Sequence, residues 1–156
     1  PPHSYSSAAS DVYKRQEEAQ RNGAAFTVIT GGEPLHHNLD ELAFTLREAS
    51  DIPLHLETSG VDGLTGAPDW ITLSPKPHRP PSQELLNQCD ELKVIVETAD
   101  DLVFANSMAK AVRQQTVLLL QPGWNSPEGQ QLAIDHVKRQ PHWRLSLQTH
   151  KWLGVR

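Results

Sequence analysis

Apolar residues along this chain come in short runs closed by Gly, Pro and Asn, and these runs alternate with segments whose apolar positions recur at helical spacing. Alternation of that kind predicts a parallel α/β sheet. Ala25 to Ile29 reads as the first strand, ended by Gly31 and Gly32. Asn38 is expected to cap a helix reaching about Ala49, with Glu41 completing a capping box and Leu39, Leu42, Ala43 and Leu46 on one face. The pattern predicts a second strand over Pro53 to Glu57 and a third over Trp70 to Leu73. Only the turn-rich VDGLTGAP separates them, too little for an ordinary helix. Pro77, Pro80 and Pro81 enforce a loop before a short helix over Gln83 to Asn87.

The second half is more regular. It predicts strands over Leu92 to Val96, Thr116 to Leu120 and Arg144 to Gln148, with helices over Ala99 to Arg113 and Pro127 to Arg139. Ser126 and Pro127 form a typical helix start. The expectation is therefore about six mainly parallel strands and four helices in a partial, open β/α barrel, with an ordinary doubly wound sheet as the rival.

Pro1 to Gln16 (PPHSYSSAASDVYKRQ) stands apart, being rich in Ser, Ala and Pro and without an obvious period. It reads as a non-native scar or a disordered tail, so the folded domain is expected over residues 17–156. On the scar reading the natural protein continues upstream and this chain is an N-terminally truncated fragment.

Composition narrows the function. A net charge of −5 gives no basic stripe for coating nucleic acid. No apolar stretch has the length of a membrane span, which suggests a soluble, cytoplasmic protein without a membrane partner. Cys89 is the only cysteine, so no internal disulfide is possible.

The chemistry gathers after the strands. Thr30-Gly31-Gly32-Glu33-Pro34 follows the first, Thr58, Ser59 and Gly60 the second, Ser74-Pro75-Lys76 the third, Gln121-Pro122 the fifth and Thr149-His150-Lys151 the sixth. In a parallel sheet these ends share one rim, where ligands of such folds bind. A Gly-Gly pair followed by a carboxylate makes a cradle for a polar head, though a lone pair more often only provides a turn. Lys76 has the character of a point charge for a carboxylate, and Lys76, Arg79 and Lys151 form a candidate anion patch beside the default of solvated charge. His36, His37, His55 and His78 lack any metal-ligand spacing, so no metal ligand is expected among them. His36, His37, His136 and His142 are expected at the surface or hydrogen-bonded, and His150 is kept as a rim residue.

With these strand ends in view the sequence resembles the radical S-adenosylmethionine superfamily and, within it, the 7-carboxy-7-deazaguanine synthase family. The match rests on VITGGEPL (Val28 to Leu35), LETSG (Leu56 to Gly60), ITLSPKP (Ile71 to Pro77), DELKVIVE (Asp90 to Glu97), LLLQP (Leu118 to Pro122) and WRLSLQTHKWLG (Trp143 to Gly154). The resemblance implies a reduced barrel, a [4Fe-4S] cluster that cleaves S-adenosylmethionine, and Mg2+-assisted ring contraction of 6-carboxy-5,6,7,8-tetrahydropterin to 7-carboxy-7-deazaguanine, a queuosine precursor. It implies a homodimer reduced by a donor such as flavodoxin or ferredoxin. Position by position it places Gly32, Glu33, Ser59, Ser74, Pro75, Lys76 and Gln121 against S-adenosylmethionine, and Thr30, Gln148 and His150 against the pterin. It assigns no catalytic side chain and no metal ligand here. The family's three clustered cysteines precede every matched word, and this chain carries one cysteine elsewhere. The expectation is an enzyme portion inactive by itself; the alternative is a cluster-free module that binds S-adenosylmethionine or a pterin without catalysis.

Overall fold

The computed structural model describes residues 7–154, and it builds one six-stranded sheet in the order β1-β2-β3-β4-β5-β6 with every neighbouring pair parallel. The strands are β1 (Thr27–Ile29), β2 (Leu54–Thr58), β3 (Trp70–Leu73), β4 (Glu91–Val96), β5 (Val117–Pro122) and β6 (Trp143–Leu145). The helices are α1 (Ser7–Arg21), α2 (Asp40–Ala49), α3 (Gln83–Gln88), α4 (Ala99–Ala109), α5 (Pro127–Arg139) and α6 (Thr149–Leu153), with a 3-10 turn at Pro34–His36. β1 and β6 do not pair, so the sheet is open, as a partial barrel requires. The α/β reading and its six strands hold.

Side-chain alternation decides what each face becomes. Leu54, Leu56, Leu73, Leu92, Val94, Val96 and Leu120 point to the helical layer and are essentially buried, with Leu85, Leu86, Ala105, Ala133 and Trp143 closing the core over them. Full burial of one such leucine contributes about 2 kcal/mol. The alternate positions His55, Glu57, Glu91 and Lys93 lie on the opposite face, where they are half-buried. One face is thus an apolar core, and the other carries a polar floor at β2–β4 flanked by Val28, Ile95 and Leu119.

Three expectations need correction. Of the segment read as a scar or a disordered tail, the part from Ser7 is helical rather than disordered, and α1 runs through to Arg21; residues 1–6 lie outside the described residues. Burial against the sheet explains this order: Val12 packs on the Ala43, Leu46 and Leu54 cluster, and Gln16 is buried with its Oε1 accepting from Thr27 Oγ1 at 3.1 Å. At α2 no capping box forms. Asn38 Oδ1 instead accepts from Asp40 N at 2.8 Å, Leu39 is the N-cap, and Asp40 Oδ1 receives Gly66 N from the following loop at 2.7 Å. The last strand stops at Leu145 rather than Gln148, because the chain turns after Ser146 N bonds Leu120 O and then enters α6. With α1 and α6 added to the four expected helices, the described residues hold six.

Candidate functional site

The rim at β1–β3 is built around Glu33. Gly31 (φ 96°) and Gly32 (φ 58°) turn the chain through the left-handed region, and the space above both is open where a Cβ would stand. Glu33 then starts the 3-10 turn with Pro34 behind it. Its carboxylate accepts four hydrogen bonds: Leu35 N at 3.2 Å, Thr58 Oγ1 at 2.5 Å, Ser59 N at 2.7 Å, and Ser59 Oγ. Burial pushes this carboxyl up, but the bonds from Ser59, Thr58 and Leu35 together outweigh it and hold it below the usual carboxylate range. Gly60 (φ 80°) lets the chain leave β2, and a Cβ there would collide with Leu73 Cδ1 and stand 2.9 Å from Pro81.

β3 supplies the facing wall. Ser74 N donates to Thr58 O at 2.7 Å, and Lys76 Nζ donates to Ser74 Oγ at 3.3 Å. Burial, followed by the Lys93 charge, pulls the Lys76 ammonium below its ordinary value against the opposing pull of Glu33. Thr30, Gly32, Glu33, Ser59, Ser74 and Lys76 line a cavity of about 330 Å³, with Glu57 on its floor and His78 and Arg79 at its mouth. Pro75 is buried on the other side of the turn. Six of the ten residues that the resemblance places against cofactor or substrate therefore converge.

Glu57 and Lys93 were not singled out from the sequence, yet they form an ion pair at 2.9 Å across the polar floor, with Lys93 mostly buried. Beside it Glu91 Oε1 accepts from Thr72 Oγ1 at 3.3 Å, and burial raises the Glu91 carboxyl above its usual range despite Thr72 and Lys93. The signal was present in LHLET and ELKVIV, where charged residues occupy alternate positions of otherwise apolar strands.

The β5–β6 end holds a second cavity, about 590 Å³, lined by Trp124, Ser126, Gln130, Leu147, Gln148 and Trp152 among others. Lys151 Nζ donates to Gln148 Oε1 at 3.1 Å and lies 4.9 Å over the Trp124 ring, while Trp124 and Trp152 meet edge to face at 6.0 Å. The three candidate pterin residues are not brought together. Thr30 lines the first cavity, Gln148 the second, and exposed His150 neither. Gln121 is buried in β5 and lines neither. Lys151 lines the second cavity, whereas Lys76 and Arg79 line the first. His36 bonds Asp62 at 2.6 Å as expected of a hydrogen-bonded histidine, whereas His136 is buried edge-on to Trp143 with Nε2 unpaired, and burial lowers its pKa.

Comparison with known proteins decides the family. The 7-carboxy-7-deazaguanine synthase of Prochlorococcus marinus is 48% identical over 167 residues, covering 93% of this chain and 74% of that protein. The chain belongs to the 7-carboxy-7-deazaguanine synthase family. The synthase of Synechocystis sp. is 46% identical, over 85% of this chain and 63% of its own length. The crystal structure of QueE from Escherichia coli superposes with a TM-score of 0.73 at 27% identity, covering 88% of this chain and 63% of that one. No protein-family model matches the chain. Against the last two relatives the chain spans less than two thirds of the length.

The iron–sulfur cluster implied by the resemblance does not fit the residues present. Cys89 is fully buried, 3.7 Å from Leu86 O, and burial pushes its thiol up to about 11. Among the described residues no group of three His, Cys, Asp or Glu side chains is placed to hold a metal ion. S-adenosylmethionine fits better, since the open space above Gly31 and Gly32 meets a fixed carboxylate and a partly buried ammonium. Among the described residues no helix is long and apolar enough to cross a membrane.

Proposed function

We propose that this chain is the S-adenosylmethionine-binding portion of a 7-carboxy-7-deazaguanine synthase. The observation that carries the reading is that Glu33, fixed by four hydrogen bonds, and Lys76 line one cavity at the strand ends with Gly32 beside them. A zwitterionic amino acid head matches that pair of charges: its ammonium is drawn by the fixed negative charge of Glu33 and its carboxylate meets Lys76. Ser59 and Ser74 supply neutral hydrogen bonds beside them, and Gly32 leaves backbone room for close approach. Thr30, on the same wall, is the residue proposed to meet the pterin. Gln148 and His150 belong to the same proposal as pterin contacts and rest on the family alone.

Bound S-adenosylmethionine would supply the hydrogen-abstracting adenosyl group in the conversion of 6-carboxy-5,6,7,8-tetrahydropterin to 7-carboxy-7-deazaguanine. The residues described here bind and orient; no cluster step is assigned to them, and three cluster thiolates would have to come from outside this sequence. Mg2+, a flavodoxin- or ferredoxin-type donor, a homodimer and a cytoplasmic location belong to the same proposal and rest on the family alone.

Isothermal titration of S-adenosylmethionine into the chain tests it. Binding that weakens at least about tenfold in Lys76→Ala supports the reading, since a charge-assisted contact is lost. No binding by the unmodified chain, or equal affinity for both proteins, would refute it. Iron–sulfur reconstitution of this chain is expected to yield no cluster absorption.

A further inference from the structure

The floor of the first cavity carries more charge than ligand binding at Glu33 and Lys76 requires. Glu57 of β2 points to the inner face of the sheet and lines the cavity that Lys76 also lines. Lys93 of β4 lies two strands away, yet its Nζ reaches Glu57 Oε1 at 2.9 Å across β3. The Lys93 side chain is 15% exposed and that of Glu57 42%. The lysine is thus the partner fixed by packing, and the carboxylate is the partner with room to move. Released from Lys93, Glu57 would have Lys76, with Arg79 at the mouth, as the cations facing the same space.

We propose that Lys93 is a positioning residue: it holds the Glu57 carboxylate on the cavity floor and away from Lys76, leaving the Lys76 ammonium available to an anionic ligand group. The holding stands on the geometry alone, and the ligand clause rests on the cofactor reading above. Several other charges surround the pair, Glu91 among them, which interacts with both Lys93 and Glu57. Glu33 faces Lys76 from the loop after β1, His78 and Arg79 from its own loop, and Glu97 and Asp101 from the β4–α4 side. Glu33 is already engaged by Thr58 and Ser59, so Glu57 is the carboxylate of the cavity that Lys93 alone among these cations restrains.

The test follows the Lys76 ammonium by NMR titration of lysine-labelled chain, assigned with Lys76→Arg, without ligand. Lys93→Met is expected to move the Lys76 midpoint up by about one pH unit, because an opposite charge arrives as a like charge leaves. Lys93→Arg, which keeps the cation, should leave it in place. The double variant Lys93→Met with Glu57→Gln should lose at least half of the upward shift. Equal midpoints in Lys93→Met and the double variant would overturn the proposal, since the carboxylate would not have moved. Should Lys93→Met fail to fold, Glu57→Gln alone decides: the midpoint is expected to fall as the Lys93 charge goes uncompensated, and an unchanged midpoint counts against the proposal. In the ligand arm, S-adenosylmethionine affinity should drop about tenfold in Lys93→Met and recover in Lys93→Arg. Loss of binding in every protein alongside the expected NMR shifts would sink the cofactor reading and sustain the positioning role.

Discussion

At the β1–β3 end of the rim the polar groups satisfy one another, whereas at the β5–β6 end aromatic rings stand partly in solvent. The first end is fixed by backbone: Glu33 is held by two main-chain N–H groups and two hydroxyls, and Gly60 is wedged under Leu73 and Pro81. The second depends on α6, a five-residue helix that buries none of its residues, and on Trp152, which is 75% exposed. A site assembled from short-range bonds to the main chain is preorganised before any ligand arrives. A site assembled from exposed rings takes its shape when something fills it.

The sharpest way to break this comparison is Gly60→Ala. The substitution imposes a side chain on a positive φ and drives it into Leu73 and Pro81, and it should cost about 3 kcal/mol or more by denaturant titration. A loss under 1 kcal/mol would show that this end yields as easily as the other. Glu33→Gln comes next. It replaces a carboxylate that accepts four bonds with an amide that can accept at only one oxygen, for an expected loss of about 1–3 kcal/mol.

Acid provides a graded version of the same test. Glu33 has a lowered native pKa, so its contribution is fully present above the unfolded carboxylate value and is lost as pH falls through the lower folded value. A stability profile in which the Glu33→Gln deficit persists unchanged down to the lowest pH at which the chain stays folded would contradict the assignment. The smallest effect is expected from Trp152→Ala, within about 0.5 kcal/mol of the parent, because an exposed ring on a short helix contributes little. Thermal unfolding of this variant more than a few degrees below the parent would show the second end to be as firmly built as the first.

Much of this was legible in the chain. Short apolar runs placed all six strands, and Ser126-Pro127 marked the start of α5, where Ser126 Oγ accepts Gly129 N at 3.1 Å. The words TGGEP, TSG and SPK brought together the residues that line the first cavity. What stayed hidden was decided by tertiary contact. Residues 7–16 look uncommitted alone and become helical with Val12 and Gln16 pressed against β1 and α2. Asn38 looks like a helix cap, but Thr65 and Gly66 of the distant loop take over the first turn of α2. Lys93 and Glu57 lie 36 residues apart, and nothing local announces that two strands will carry them into contact.

The spatial order of the strands equals their order in sequence, and this bears on how the chain is made. No strand has to wait for a later one to slot in beside it, so each emerging unit can dock on the edge left by its predecessor. Loop closure is then met in short steps rather than one long excursion. Pulse-labelled hydrogen exchange during synthesis would register this as protection advancing from β1 toward β6. Such a sheet is a structure that can be lengthened or shortened by whole β–α units at its margins while its middle is left undisturbed.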